Sequence, residues 1–380
     1  MKILLVDTAF AAVPIYDYLM SAGHDVWVMG GRSGDVLAQR AGDRWIEQDY
    51  SNVDAVRAHV LRLGFDRVVP GCTDVSIATC LQLEMFSHLL DSPQADQVLS
   101  NKLAFRDLCR RLALPAPRVA DRAEFPLAGR FICKPVDAFS GRGISIFDGE
   151  DLDALRSACE TAEGASPRST FLIETFAEGQ LHSCSAFVEN HKIVDAFYVI
   201  EGSSANPFAV DTSYVVYDLP EAATRTVEGS LEKISADLRL RDGLIHAQFI
   251  LTPVGPLLVE VCRRCPGDLY SLLIEYSSGF QYAAKYASYF SGNPLDARRT
   301  RRSHVLRHTF GTAKPIVFGG LVFDAPVSVR ALFPIQPIGQ TLPIRQGGGR
   351  AGILFCEAAT ADELETIYAT FVSRDAYRLV

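Results

Sequence analysis

The sequence predicts an α/β and α+β protein that changes character along its length. A doubly wound parallel-sheet domain comes first, an α+β region second and a small β-rich region last. Three observations predict this. Short apolar strands alternate with amphipathic helices through residues 1–95, the pattern of a parallel sheet covered on both faces. From residue 130 onward, strands gather in pairs about glycine-containing turns. From residue 305, strand-like segments are punctuated by Pro and Gly and closed by a helix at 361–373.

The elements follow in order. Residues 2–6 read as a continuous apolar strand and 13–21 as an amphipathic helix. A second strand is predicted at 24–29, a helix at 54–63 and a third strand at 67–69, ending at Pro70-Gly71. After the first strand the chain reads Asp7-Thr8-Ala9-Phe10-Ala11-Ala12 and lacks G-x-G-x-x-G. The Cβ-free approach to a pyrophosphate is therefore missing, and residues 1–95 are not read as a dinucleotide site. A ligand is still expected at the carboxyl ends of these strands, near Asp7, Thr8, Gly71, Thr73 and Asp74. Thr73 or Asp74 would equally serve to cap the helix that follows.

Helix signals run over 101–112 and stop before Pro115 and Pro117. Next come a strand at 130–135, a polar loop at 136–143, a strand at 144–147 and a helix at 151–162. Strands are predicted at 171–176, 182–188 and 192–200, a loop at 201–217 and a helix at 224–237. A long helix is expected over 269–291, followed by Arg298, Arg299, Arg301 and Arg302 in a solvated linker. The domain limits expected are 1–95, 96–303 with a lid-like part at about 115–180, and 304–380.

Composition narrows the function. A chain of 380 residues is too long for one simple core. Its 48% hydrophobic and 22% charged residues describe a soluble globular protein. A formal net charge of -8 argues against nucleic acid, whose phosphates demand a basic face. No apolar run is long enough to span a membrane. The start, MKILLVDTAF, reads as a first strand and not as a signal peptide. The nine scattered cysteines suit free thiols in a reducing cytoplasm. Cys262 and Cys265 form the one C-x-x-C, but further zinc ligands of matching spacing are not evident.

The segment GLIHAQFILTPVGPLLVEVCRRCPGD, residues 243–268, is the most informative. Two apolar runs flank Thr252-Pro253-Val254-Gly255-Pro256, a turn signal. Folding the segment about Val254 sets Gln248 opposite Glu260 and His246 opposite Cys262. Cross-strand partners share a face, so one face carries His246, Gln248, Ile250, Leu258, Glu260 and Cys262. The other carries Ala247, Phe249, Leu251, Leu257, Val259 and Val261, all apolar. Arg263 and Arg264 follow at the strand end. A carboxylate for a hard cation beside guanidiniums for anionic oxygens suits a metal-bound polyphosphate. A half-buried amphipathic hairpin with a surface ion pair would show the same alternation.

Upstream, RFICKPVDAFSGRGISIF places Lys134 on a strand and then a loop of Ser140, Gly141, Arg142 and Gly143. Small residues let backbone N–H groups close on phosphate oxygens, and a lysine adds a point charge. Lys102 in SNKLAFRDL, Lys134-Pro135 with its loop, FLIETFAEGQLHS and the Gln248/Glu260 hairpin with Arg264 occur in that order. This order resembles the ATP-grasp superfamily across about residues 1–300, extending plausibly into the C-terminal β-rich part.

The resemblance implies that ATP lies between two α+β subdomains. Lys102 and Lys134 would contact the α- and β-phosphates, with Lys134 also near the adenine. The strand segment Glu174, Thr175 and Phe176 would read the adenine edge through its backbone. Ser140, Gly141, Arg142 and Gly143 would cover the β- and γ-phosphates as a flexible lid. Glu260, with Gln248, would bind Mg²⁺, or Mn²⁺ in its place. Arg264 would steady the transferring phosphoryl group. Two positions depart from the family's pattern: Gln248 stands where a Glu is usual, and Cys262 where an Asn is usual. The usual ribose-binding Glu is Leu181, so Glu178, Gln180 or His182 is left to take that role. Thr73, Asp74, Arg263, Arg264 and Asp268 are expected to face the substrates.

The activity implied is that of an ATP-dependent ligase joining a small-molecule carboxylate to an amine, with Glu260 and Arg264 catalytic. The alternatives are a bicarbonate-activating carboxylase of the same fold and an ATP-binding regulatory protein without turnover. No nucleic-acid or membrane partner is expected, and a homodimer is left open.

Overall fold

A computed structural model describes residues 1–138, 141–292, 294–312, 314–342 and 349–380. The first sheet contains β1 (Lys2–Val6), β2 (Asp25–Gly30), β3 (Trp45–Glu47) and β4 (Arg67–Pro70). All its pairs are parallel, in the order β3-β2-β1-β4. Helices α1 (Val13–Ser21), α2 (Val36–Ala41), α3 (Val53–Leu63) and α4 (Asp74–Leu81) connect and follow the strands. Along β1, Ile3 and Leu5 enter one core while Leu4 and Val6 enter another. That double burial explains why the strand reads as an unbroken apolar run. The sequence reading missed β3 and α2, which are too short to show a period.

Helices α5 (Pro93–Ser100) and α6 (Lys102–Arg111) lead into a small antiparallel sheet. Its strands are β5 (Arg130–Pro135), β6 (Ser145–Asp148) and β7 (Phe171–Thr175), in the order β6-β5-β7. Alternation sorts its faces. Phe131, Cys133 and Ile173 pack on α7 (Leu152–Ala165). Their neighbours Lys134 and Glu174 turn to the other side of the sheet, with Ile132 paired to Glu174 and Lys134 to Leu172.

A large antiparallel sheet follows. It holds β8 (Gln180–Glu189), β9 (Lys192–Gly202), β10 (Thr212–Val216), β11 (Gly243–Thr252), β12 (Gly255–Cys262) and β13 (His304–Thr312). A short pair of β14 (Leu321–Phe323) and β17 (Tyr377–Leu379) stands apart. Strands β15 (Val329–Pro334) and β16 (Gly349–Ala358) complete the eight-stranded order β12-β11-β8-β9-β10-β13-β16-β15. Strands of the C-terminal third thus hydrogen-bond into the same sheet as the hairpin. Helices α6 and α8 (Glu221–Asp237) bury one face around Ala247, Phe249, Leu258 and Val261. Helices α9 (Tyr270–Ser278) and α10 (Tyr282–Ser291) cover the other, and α11 (Ala361–Val372) packs near β13.

Two expectations are corrected here. The single helix expected over 269–291 is broken in two at Gly279. Gly279 has φ +71°, and a Cβ there would sit 1.9 Å from Thr300 Oγ1, so the site demands glycine. The hairpin turns at Pro253 and Val254, with Thr252 paired to Gly255. A bulge then leaves Val259 without a partner, and Gln248 regains Glu260 and His246 regains Cys262. Between turn and bulge the register is shifted, so Leu258 pairs with Phe249 and joins the apolar face while Leu257 pairs with Ile250.

Phe249 is fully buried in the core beneath α6 and α8. Phe249→Ala should lower unfolding free energy by about 3–5 kcal/mol, read from denaturant titration. A loss under about 1 kcal/mol would mean that the core closes over the missing ring.

Candidate functional site

The polar face of the large sheet assembles along its rows. Glu260, Gln248 and Ser183 are successive partners on β12, β11 and β8. Glu201, Ser213 and Arg307 are successive partners on β9, β10 and β13. Glu260 is exposed and has neither a hydrogen bond nor an ion pair among the described residues. Gln248 donates its amide N–H to Glu201, a residue only 5% exposed. Burial pushes the Glu201 carboxyl up to about 7. His246, on the same face, meets the Ser185 hydroxyl at 3.0 Å, and burial takes its pKa down to about 3. That keeps it neutral, as a packed core histidine. Burial raises the Cys262 thiol to about 11, so it stays protonated and is a poor ligand for a hard cation.

Lys102 opens α6 after the Asn101 cap. Its Nζ donates to the carbonyls of Val136 at 3.4 Å and Ala138 at 3.0 Å, where the polar loop leaves β5. Burial pulls Lys102 below its ordinary pKa, with Glu260 the leading charge that opposes the shift. Lys102 therefore rests on the start of the polar loop and within electrostatic reach of the hairpin carboxylate.

Lys134 does not stand free. It is 7% exposed and ion-paired with Glu174, whose other oxygen takes the Arg106 guanidinium. Burial would raise the Glu174 carboxyl, but Lys134 and Arg106 overcome it and hold the pKa below the ordinary 4.5. Arg106 also donates to the carbonyl of Val259, the bulged residue, at 3.0 Å. The Glu174 side chain is therefore a buried anchor. The backbone N–H of Thr175 is taken by Arg118 and that of Phe176 by Arg130, each at 2.9 Å. The Phe176 ring lies 4.5 Å beneath the Arg130 guanidinium.

Ser140 lies outside the described residues. Gly141 and Gly143 take φ +71° and +69°. A Cβ on Gly141 would come within 2.7 Å of Phe208 Cβ, so this turn rests against the 206–208 segment. Arg142 is exposed in the same turn.

Glu178 is mostly exposed and pairs with Arg130 at 3.1 Å, at the rim. His182 pairs with Phe249 across β8 and β11 and stacks on its ring at 5.3 Å. It faces away from Gln248 and Glu260, because adjacent residues on a strand point to opposite sides. Arg263 is likewise turned from its neighbour. It is buried against Asp91 at 2.8 Å and donates to the carbonyls of Leu244 and Arg241, which makes it a structural tie and not a substrate contact.

Arg264 instead pairs with Asp74 at the start of α4, donating to both of its oxygens at 2.5 and 3.3 Å. Thr73 caps α4 by accepting from Ser76 N at 3.1 Å and also meets Tyr50 OH at 3.2 Å. Asp268 lies 3.2 Å from Arg350, and its carbonyl accepts from Arg307 at 3.1 Å. The sequence reading overlooked Glu201, which it placed in a loop, and also Arg307 and Arg350. An arginine in the strand-like run HVLRHTFGT was the available signal.

No group of three or more His, Cys, Asp and Glu side chains among the described residues is placed to hold a metal by itself. A cation on this face therefore needs amide and ligand oxygens besides the carboxylates present. Those are hard donors, which fit Mg²⁺. No helix among the described residues is long and apolar enough to cross a membrane.

These parts define a fold: a parallel-sheet domain, then a small and a large antiparallel sheet enclosing a cleft. It is the ATP-grasp fold. No family model and no curated protein sequence matches the chain. Solved structures match it end to end. Phosphoribosylglycinamide synthetase from Anaerococcus prevotii is 15% identical with a TM-score of 0.77, over 100% of this chain and 99% of that one. L-amino acid ligase from Bacillus licheniformis is 15% identical with a TM-score of 0.78, over 100% and 98%. The biotin carboxylase domain dimer of Hydrogenobacter thermophilus 2-oxoglutarate carboxylase, in complex with MgADP, ADP and bicarbonate, is 13% identical with a TM-score of 0.76, over 100% and 90%. At such identities the likeness is one of fold.

Two predictions separate anchors from working groups. Arg263→Ala should cost about 3–5 kcal/mol of stability, because it strands the buried Asp91. Arg264→Ala should cost no more than about 1 kcal/mol, because Asp74 is 59% exposed. Equal losses in denaturant titration would refute this split. Second, the depressed pKa of Glu174 gives stability that is full above 4.5 and lost as pH falls through the folded-state value. Glu174→Gln should remove that part of the acid-side slope. An unchanged slope would show that the ion pairs are not formed.

Proposed function

We propose that the protein is an ATP-dependent ligase. It phosphorylates a small-molecule carboxylate and couples the acyl phosphate to an amine, releasing ADP and phosphate. The observation that carries the reading is Lys102 resting on the start of the polar loop, within electrostatic reach of Glu260, which has no partner among the described residues. The ligases among the fold neighbours and the MgADP bound to the Hydrogenobacter domain support it.

The residues divide the work. Lys102 supplies a point charge to phosphate oxygens. Lys134, its ammonium fixed by Glu174, supplies positive potential from the wall of the small sheet. Gly141 and Gly143 let the turn approach the phosphates closely. Glu260 and the Gln248 oxygen would hold Mg²⁺, or Mn²⁺ as a substitute. Bound there, the ion would neutralise charge building on the phosphoryl oxygens. A carboxylate oxygen of the substrate attacks the γ-phosphorus and ADP departs. The amine nitrogen then attacks the acyl carbon, and phosphate leaves with its electron pair. Arg264, held in place by Asp74, faces the transferring group. Asp268, flanked by Arg307 and Arg350, offers both charges to an amino-acid-like substrate.

Bicarbonate as the activated acid is the second reading, favoured by the bicarbonate in the Hydrogenobacter complex. A coupled ADP-release screen over amino acids and small carboxylates, each with and without amines, tests both. Release that needs a carboxylate and an amine supports the ligase. Release with bicarbonate alone supports the carboxylase, and none with any substrate refutes both.

Mg-ATP should raise the melting temperature, since a ligand of the native state stabilises by mass action. No shift at millimolar Mg-ATP or Mg-GTP would count against nucleotide binding. Lys102→Met should raise the KM for ATP with little change in kcat, whereas Arg264→Met should lower kcat by about a hundredfold or more. Equal changes in ATP KM, with kcat untouched, would refute the division of roles.

A further inference from the structure

The polar face holds a carboxylate that the hairpin does not supply. Glu201, at the end of β9, is 5% exposed and has no ion pair among the described residues. The Gln248 amide donates to it, and the Ser183 hydroxyl lies in hydrogen-bond contact. The Arg307 guanidinium, whose positive charge acts on it, is committed to Ser213 Oγ at 2.9 Å and the Asp268 carbonyl at 3.1 Å. Buried charges in proteins are paired or coordinate metals. Glu201 is therefore completed either by a proton or by a cation. The second observation is Glu260, the cross-strand partner of Gln248, which also lacks a partner among the described residues. Two carboxylates thus flank one neutral amide on one face, and both act on each other electrostatically.

We infer that Glu201 is the second charged ligand of the divalent-cation site, set on β9 and facing Glu260 across the Gln248 amide. The inference rests on the nucleotide-dependent reading above. It moves the site's second charge off the hairpin and onto the strand beyond β8. Gln248 then has two tasks. Its N–H orients the buried carboxylate, and its oxygen adds a neutral donor, a set suited to a hard cation.

The test is direct Mn²⁺ binding, read as loss of the free-ion EPR signal when Mn²⁺ is titrated into protein plus ADP, with ADP alone as blank. Glu201→Gln should weaken Mn²⁺ binding by about tenfold or more. Without nucleotide it should melt no lower than the wild type, because the amide is isosteric and removes an unpaired buried charge. Adding Gln248→Glu to Glu201→Gln should restore affinity, since the charge moves only to the side chain that Glu201 touches. Wild-type affinity in Glu201→Gln, or a double variant no tighter than the single one, would overturn the inference and leave Glu201 as a protonated structural group. A wild type that takes up no Mn²⁺ beyond the ADP blank would overturn the nucleotide reading itself, and this inference with it.

Discussion

The structure turns on one buried carboxylate. Glu174 binds Arg106 with one oxygen and Lys134 with the other, and so joins α6 to the small sheet. Arg106 continues the chain by donating to the Val259 carbonyl on the edge strand of the large sheet. One group thus registers three elements against each other. Charges this deep are costly to desolvate, and what they contribute is mutual geometry more than stability. Lys102 begins the same helix that Arg106 anchors, so its position over the Val136 and Ala138 carbonyls is set from the same place.

The bulge at Val259 belongs to this arrangement. A bulged residue leaves the ladder and needs another partner for its backbone. Arg106 supplies one to its carbonyl, while the neighbouring Leu258 N–H is met by the Pro115 carbonyl at 2.8 Å. The extra residue also restores the pairing of Gln248 with Glu260 after a turn that would have shifted it. Without the bulge, Glu260 would point into the apolar core beneath α6 and α8.

Much of this was legible in the sequence for identifiable reasons. The period of the N-terminal strands and helices, the lysine-bearing strand and the paired hairpin each leave a local pattern. The Gln248–Glu260 pairing was reached from a turn centred on Val254; the actual turn is offset, and the unseen bulge cancels the offset. What was not legible depends on tertiary partners. Arg263 and Arg264 are neighbours in sequence, and only Asp91 and Asp74 decide which pair is buried and which is half exposed. His182 was assigned by its place after Glu178-Gly179, but strand parity turns it onto Phe249. Glu201 sits where the strand runs longer than its apolar pattern, so its burial could not be read from its neighbours.

The unbroken eight-stranded sheet has a mechanical consequence. Strands laced by successive ladders form a rigid plate, so flexion falls to the segments outside it. The small sheet is tethered to that plate through 112–119 and 176–179. At the second tether a Cβ on Gly179 would lie 2.3 Å from the Leu251 carbonyl, which marks a close-fitted pivot. The ion-paired Glu174 lies beside this pivot, and the turn at Gly141 is the far end of the lever, resting on Phe208. A swing about 176–179 would lift the tip well clear while barely straining the charges at the fulcrum. A hinge so placed would open one end of the cleft while keeping the alignment at the other.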